Sequence, residues 1–463
     1  MSGHPHLKSL RCLILGIDSI SVIFVALVIN FALAWEITPV AADSQIYLPA
    51  ASEILWQNLI GGSGADAFNC VRITSDGGCI AAGYTHSFDG DIVGNHGKTD
   101  ALVVKFDSSG NIQWKKCYGG SEDDIANAIE RTSDGGYVFA GSTDSYDGDV
   151  SNHRGANDFW VVKLSSGGAI QWNVCLGGAG EDMAASIQEV ASGGYIVAGT
   201  GNSFDTDIKS ALGGTDAIVF RLSPTGAILW QKNFGTSGDD MANCIRQTSD
   251  YGFVFVGKSS SVCSPASPTA GLGDLLIVRL ATDGSQIWQR NYGGVGEDTG
   301  WCVRQTGDGG FIIAGSTDSD EGDLASAGHR SGNDAWIVKT DSMGLLQWQK
   351  TYGGLHDDAA YAVRLTADGS YALAGESASF DDDASNPRFR SDAWLCKITG
   401  DGTSQWHKCF GGRFNDIAQD MEVLPDGSWI FVGKGSALGG GDILQGHAGG
   451  DAWIAHIKPN STK

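Results

Sequence analysis

The chain has 463 residues, 42% of them hydrophobic, with 67 glycines, 9 prolines and a formal net charge of −24. Such a glycine load points to many turns rather than long helices. A surface this acidic repels phosphate backbones and anionic lipid, which excludes nucleic acid as a partner and leaves cations and basic proteins compatible.

Lys8 and Arg11 precede an apolar run over 20–34 that ends in Ala32, Leu33 and Ala34. A basic start, a short apolar core and a small-x-small end form the layout of a secretory signal peptide over 1–34. The run is short for a spanning helix, which needs about twenty apolar residues. An uncleaved N-terminal anchor is the alternative. Residues 35–52 read as a linker, and the expectation is an exported, extracellular, monomeric protein with no other membrane contact. Of the ten cysteines, Cys12 lies in the signal; Cys70, Cys244 and Cys302 share one repeat position, and Cys117, Cys175 and Cys409 another. They read as buried apolar packers, and the lack of a CxxC pair gives zinc no support.

Self-comparison organises the rest. Trp56, Trp114, Trp172, Trp230, Trp288, Trp348 and Trp406 recur at spacings of 58, 58, 58, 58, 60 and 58. Each repeat holds four short apolar runs punctuated by turns such as Ser133, Asp134, Gly135 and Gly136, and none sustains a helical period. Seven four-stranded repeats predict an all-β, seven-bladed β-propeller over 53–458, with a short tail at 459–463. The run from Asp124 to Ile129 carries small Ala126 and Ala128, as a crowded innermost strand requires, and the tryptophan run becomes outermost. On this order the last repeat supplies three strands, and 53–57 completes it as a clasp. A frame that starts each blade at the tryptophan needs no clasp and is the alternative.

The Gly-x-Ile-x-Trp pattern followed by Gly-Gly resembles the secreted bacterial and archaeal propeller-repeat family. It is also similar to the blades of quinoprotein dehydrogenases, whose outer tryptophans dock between neighbouring blades. Those enzymes use eight blades, a vicinal cysteine pair and a quinone near calcium. Seven repeats without adjacent cysteines speak against a quinone enzyme here. The resemblance concerns architecture; propellers host many functions.

Five repeats carry an acidic loop after the second strand: Asp89 and Asp91; Asp144, Asp147 and Asp149; Asp205 and Asp207; and counterparts near 320–323 and 381–383. These carboxylates, with loop carbonyls, could hold calcium, although the spacing is not that of an EF-hand. An ordinary Asp-Gly turn is the plainer account. Two single aspartates recur in all seven repeats, one opening the inner strand (Asp66, Asp124 and so on) and one opening the third (Asp100, Asp158 and so on). A residue repeated seven times is not a unique catalytic acid or base, so these are expected to close turns. Loops of the second strand and the blade-crossing segments are expected to share one face. Symmetry breaks on that face at Arg388, Phe389, Arg390, Arg413 and Phe414, a candidate recognition patch for a carboxylate-bearing glycan or peptide. The functional expectation is a binding or scaffolding module for an extracellular glycan or protein. A polysaccharide hydrolase or lyase with carboxylates near the central channel, or a structural surface protein, are the alternatives.

Overall fold

The computed structural model describes residues 53–208, 212–260, 272–324, 332–379, 390–436, 441–443, 446–447 and 449–459. Among the described residues, twenty-eight strands form seven four-stranded antiparallel sheets, and the one helical turn is Gly322–Leu324. Each sheet is a blade: in blade two, Asp124–Arg131, Tyr137–Thr143, Asp158–Leu164 and Ile170–Leu176 pair in that order. The first strand of each blade packs against the first two strands of the blade before it, and blade one closes on blade seven in the same way. The result is a β-propeller.

Blade seven decides between the two frames. Its sheet runs Glu53–Ile60, Asp451–Lys458, Trp429–Gly435, Ile417–Val423, with Glu53 opposite Lys458 and Ile60 opposite Ala452. The N-terminal strand is therefore the clasp, and the frame that begins each blade at the tryptophan is set aside.

Burial follows position in the blade. The second and third strands, Tyr137–Thr143 and Asp158–Leu164 for example, are buried throughout, because neighbouring blades cover both faces. Their composition, rich in Val, Phe and Trp, suits a strand without a solvent face. The fourth strand is half exposed at the rim.

The first strand carries the feature that shapes the interior. In all seven blades its register with the second strand slips by one residue, as between Ala126 and Ala128 or between Gly300 and Cys302. This is a β-bulge, which leaves one residue out of the ladder and re-aims it. A glycine stands opposite each bulge. At Gly141 a Cβ would collide with the Ile125 carbonyl oxygen, so only glycine allows the approach.

Candidate functional site

The acidic loops fold back on the segments that cross between blades, so both do share one face. In the crossing into blade two, three consecutive backbone N–H groups are capped by side chains. Gly120 N donates to Asp124 Oδ2 at 2.7 Å, Ser121 N to Asp147 Oδ1 at 2.7 Å, and Glu122 N to Ser145 Oγ at 2.9 Å. Ser145 donates in turn to Asp124 Oδ2 at 2.8 Å, and the Thr143 hydroxyl donates to Oδ1. Asp149 N donates to Gly119 O at 2.9 Å, and Val150 behind it is buried. Blade one repeats the arrangement with Asp66, Ser87, Asp89 and Asp91, and blade three with Asp182, Ser203, Asp205 and Asp207. Blade seven, whose sequence lacks the acidic motif, keeps its end: Asp442 N donates to Gly411 O at 3.0 Å and Ile443 is buried.

Both invariant aspartate sets close turns of the backbone. Asp158 Oδ2 accepts from Arg154 N at 2.8 Å, four residues earlier, just as Asp124 accepts from Gly120. Asp100 accepts from His96 N at 3.0 Å and lies 2.7 Å from His96 Nδ1. Burial pushes Asp124 up to about 6 against its hydroxyl and amide donors, with the charge of Asp100 adding to the effect. Burial does the same to Asp158, with Asp182 nearby. Asp207 pairs with Arg154 at 2.5 Å. Among the described residues no group of three or more His, Cys, Asp or Glu is arranged to hold a metal ion. In the candidate patch, Arg388 and Phe389 lie outside the described residues. Arg390, Arg413 and Phe414 are exposed and make no hydrogen bond or ion pair with one another.

What stands out on this face is aromatic. Phe88, Tyr146 and Phe204 occupy the same loop position in blades one, two and three and are 67%, 69% and 66% exposed. Tyr146 is braced by its hydroxyl on Gly155 O at 2.7 Å and by an edge contact with His153 at 4.3 Å. Beside Phe204 a groove of about 620 Å³ runs between blades three and four, lined by Asn202, Ser203, Asp205, Thr215 and Asp239.

A second site lies where the first strands converge on the central channel, in a cavity of about 320 Å³. The bulge brings two successive residues to its wall in six of the seven strands, and Tyr361 alone in blade six. Asn69, Asn127 and Asn243 sit at the bulge and bridge blades: Asn127 Nδ2 donates to Ala184 O at 2.8 Å, and Asn243 Nδ2 to Gly300 O at 3.0 Å. Three residues beyond the bulge position the seven strands carry Arg72, Glu130, Gln188, Arg246, Arg304, Arg364 and Glu422. Asp420, one residue beyond blade seven's bulge, takes Arg72 at 2.8 Å and Arg364 at 2.5 Å. Arg72 also reaches Glu130 at 2.7 Å, and Arg364 reaches Glu422 at 3.2 Å. Burial opposes ionisation of Asp420, but Arg364 and then Arg72 outweigh it and hold the carboxyl well below its usual range. The channel carboxylates are thus tied into ion pairs.

Blades four and five differ. Cys244 and Cys302 lie beside Arg246 and Arg304, and the hydrogen bond from Cys302, helped by the two guanidiniums, draws the Cys244 thiol down. Burial is the largest cause at Cys70, Cys117 and Cys175, whose thiols are pushed up to about 12. Sequence reasoning placed Cys70, Cys244 and Cys302 at one repeat position but did not place them, or the arginines, in the channel. The signal was the alternation of Arg, Glu and Gln at one repeat position among otherwise uniform inner strands.

No family model matches the chain. Regulatory protein FlaEY of Caulobacter vibrioides is 24% identical over 176 residues, which cover 36% of this chain and 18% of that protein. The chain therefore matches less than a fifth of that relative's length. Among solved structures, the Neurospora crassa Pan2 WD40 domain has 8% identity and a TM-score of 0.49, covering 90% of this chain and 99% of that one. BamB from Moraxella catarrhalis has 12% identity and a TM-score of 0.40, covering 85% and 86%.

Proposed function

We propose that this propeller is an exported binding module that engages an extracellular protein through the face bearing the acidic loops. One observation carries the reading: Phe88, Tyr146 and Phe204, each about two-thirds exposed, repeat on three consecutive blades among aspartates. Aromatic rings supply large, stiff contact area and are enriched at interface centres. The surrounding carboxylates favour a partner with a basic surface and speed its encounter. Export rests on the basic residues and apolar run of 1–34. The loops themselves need no bound ion, since Asp89, Asp147 and Asp205 cap backbone N–H groups. Calcium at Asp144, Asp149, Asp91 or Asp207 would be an addition to that framework.

A glycan is the second reading, favoured by the groove of about 620 Å³ that pairs the Phe204 ring with Asn202 and Asp239. The test compares the wild-type chain with F88S/Y146S/F204S on immobilised Lys-rich aromatic peptides and on neutral oligosaccharides. Peptide binding that weakens with salt and disappears in the variant supports the protein reading. Oligosaccharide binding lost in the variant selects the glycan. Equal binding by both chains would remove this face from consideration.

A further inference from the structure

Arg246 and Arg304 line the channel cavity and, among the described residues, neither makes an ion pair, although the charge of Arg304 adds to those that hold Asp420 low. Each guanidinium offers five N–H donors. Arg246 commits Nη1 to Ser186 Oγ at 3.1 Å and to its own neighbour's carbonyl, Ile245 O, at 2.7 Å. Arg304 commits Nη1 to Val303 O at 2.8 Å and to the Cys302 and Cys244 sulfurs at 3.3 and 3.8 Å. Neither forms an ion pair with a carboxylate among the described residues, whereas Arg72 and Arg364 across the channel share Asp420 and Glu422. Burial, and next the charge of Arg364, make Arg304 easier to deprotonate. A charge drawn out of water without a partner is costly, so two side by side call for an anion. The Cys244 thiol beside Arg304, were it ionised, would balance one of the two charges only.

We propose that the channel wall of blades four and five binds a small polar anion through Arg246 and Arg304. The head group is a carboxylate or sulfate, whose oxygens match the planar donor fork of arginine. The rest of the molecule is hydroxylated rather than apolar, because Asn69, Asn127, Asn243, Gln419 and Tyr361 line the remaining cavity together with Trp301. The space, about 320 Å³, accepts more than a bare inorganic ion and fits a ligand the size of a sugar acid. In a chain of net charge −24 this pocket inverts the local sign, so short-range pairing selects the anion rather than long-range attraction.

The experiment is isothermal titration of the full chain with sodium sulfate and, separately, with sodium glucuronate, in chloride-matched buffer. R246Q/R304Q is the test variant, and R131Q, an exposed arginine at the end of the blade-two inner strand, is the control. R246Q/R304Q removes two unpaired charges, and its unfolding midpoint without ligand is expected at or above wild type, which keeps the comparison valid. The expected result is binding to wild type and to R131Q, weakened at least tenfold in R246Q/R304Q. Binding of sulfate alone identifies an inorganic oxyanion, and tighter binding of glucuronate identifies a sugar acid. Absence of binding by either probe, or equal binding by R246Q/R304Q, overturns the proposal. F88S/Y146S/F204S is expected to titrate like wild type, which separates this site from the loop face.

Discussion

Asp420→Asn is the sharpest probe of the channel. The substitution keeps the shape of the side chain and an oxygen for Val71 N, which donates to it at 3.2 Å. It removes the charge that Arg72 and Arg364 share, in a cluster whose side chains are 8–12% exposed. Breaking a buried pair by deleting one partner costs about 3–5 kcal/mol, because the other charge is stranded. Glu130 still holds Arg72 at 2.7 Å and Glu422 reaches both arginines at 3.3 and 3.2 Å, so the lower end, about 3 kcal/mol, is expected. At roughly 2.1 cal/mol/K of unfolding entropy per residue, that lowers the midpoint by about 3–4 °C in a propeller of ~400 residues. Thermal unfolding by circular dichroism at pH 7 reads the shift. Asp420 has its folded value depressed, so its contribution is present above the unfolded carboxylate value near ~3.9 and fades as pH falls through the folded value. The gap between D420N and wild type should therefore close in strong acid. R72M/D420L removes one charge of each sign and leaves Arg364 with Glu422, but it also takes the partner of Glu130, so it should recover part of the loss rather than all of it. A D420N midpoint within about 1 °C of wild type at pH 7 would refute the account, since at that entropy it amounts to less than about 1 kcal/mol.

Two further outcomes test the frame around the channel. Burial raises Asp124, Asp158, Asp274 and Asp416 to about 6, so each favours folding most below the unfolded value and loses that contribution as pH rises through about 6. The unfolding midpoint should be higher at pH 5 than at pH 7.5, with a shallower profile in D124N/D158N; a wild-type midpoint that rises over this range would contradict the assignment. A chain starting at residue 61 lacks the clasp and exposes the edge of Asp451–Lys458. It should unfold earlier and aggregate relative to a chain starting at residue 53, and matching melting curves by differential scanning calorimetry would mean that blade seven does not depend on the clasp.

Much of the architecture was legible because a propeller asks the same thing of every blade. The tryptophan spacing from Trp56 to Trp406 reports the repeat, small residues such as Ala126 mark the innermost strand, and Asp66 and Asp124 recur because each crossing loop has N–H groups to cap. The surplus strand at 53–60 could be assigned to blade seven by counting. The channel was harder to read for a physical reason. Residues such as Arg246 and Arg304 lie near strand ends, where a charge normally means solvent, and only curvature around the axis turns that end inward. The one-residue slip at the bulge is also silent in an alternating pattern. It makes Asn243 and Cys244 neighbours on one wall, although consecutive strand residues ordinarily face apart. Blade seven shows a milder version: its glycine-rich loop looks unlike the acidic ones, yet Asp442 and Ile443 take the same place, because the anchor is one backbone bond and one buried aliphatic.

The seven bulges have a consequence for how such a chain can change. A side chain that has left the ladder takes no part in sheet pairing, so the ladder does not dictate its identity, even where, as at Asn127 and Asn243, it also bridges blades. In this chain that ring of positions reads Asn69, Asn127, Ala185, Asn243, Trp301, Tyr361 and Gln419, from a methyl group to an indole, on sheets that otherwise superpose in kind. The lining of the channel can thus be rewritten one letter at a time while the blades stay as they are. Seven blades built alike can therefore enclose a channel whose lining differs from side to side.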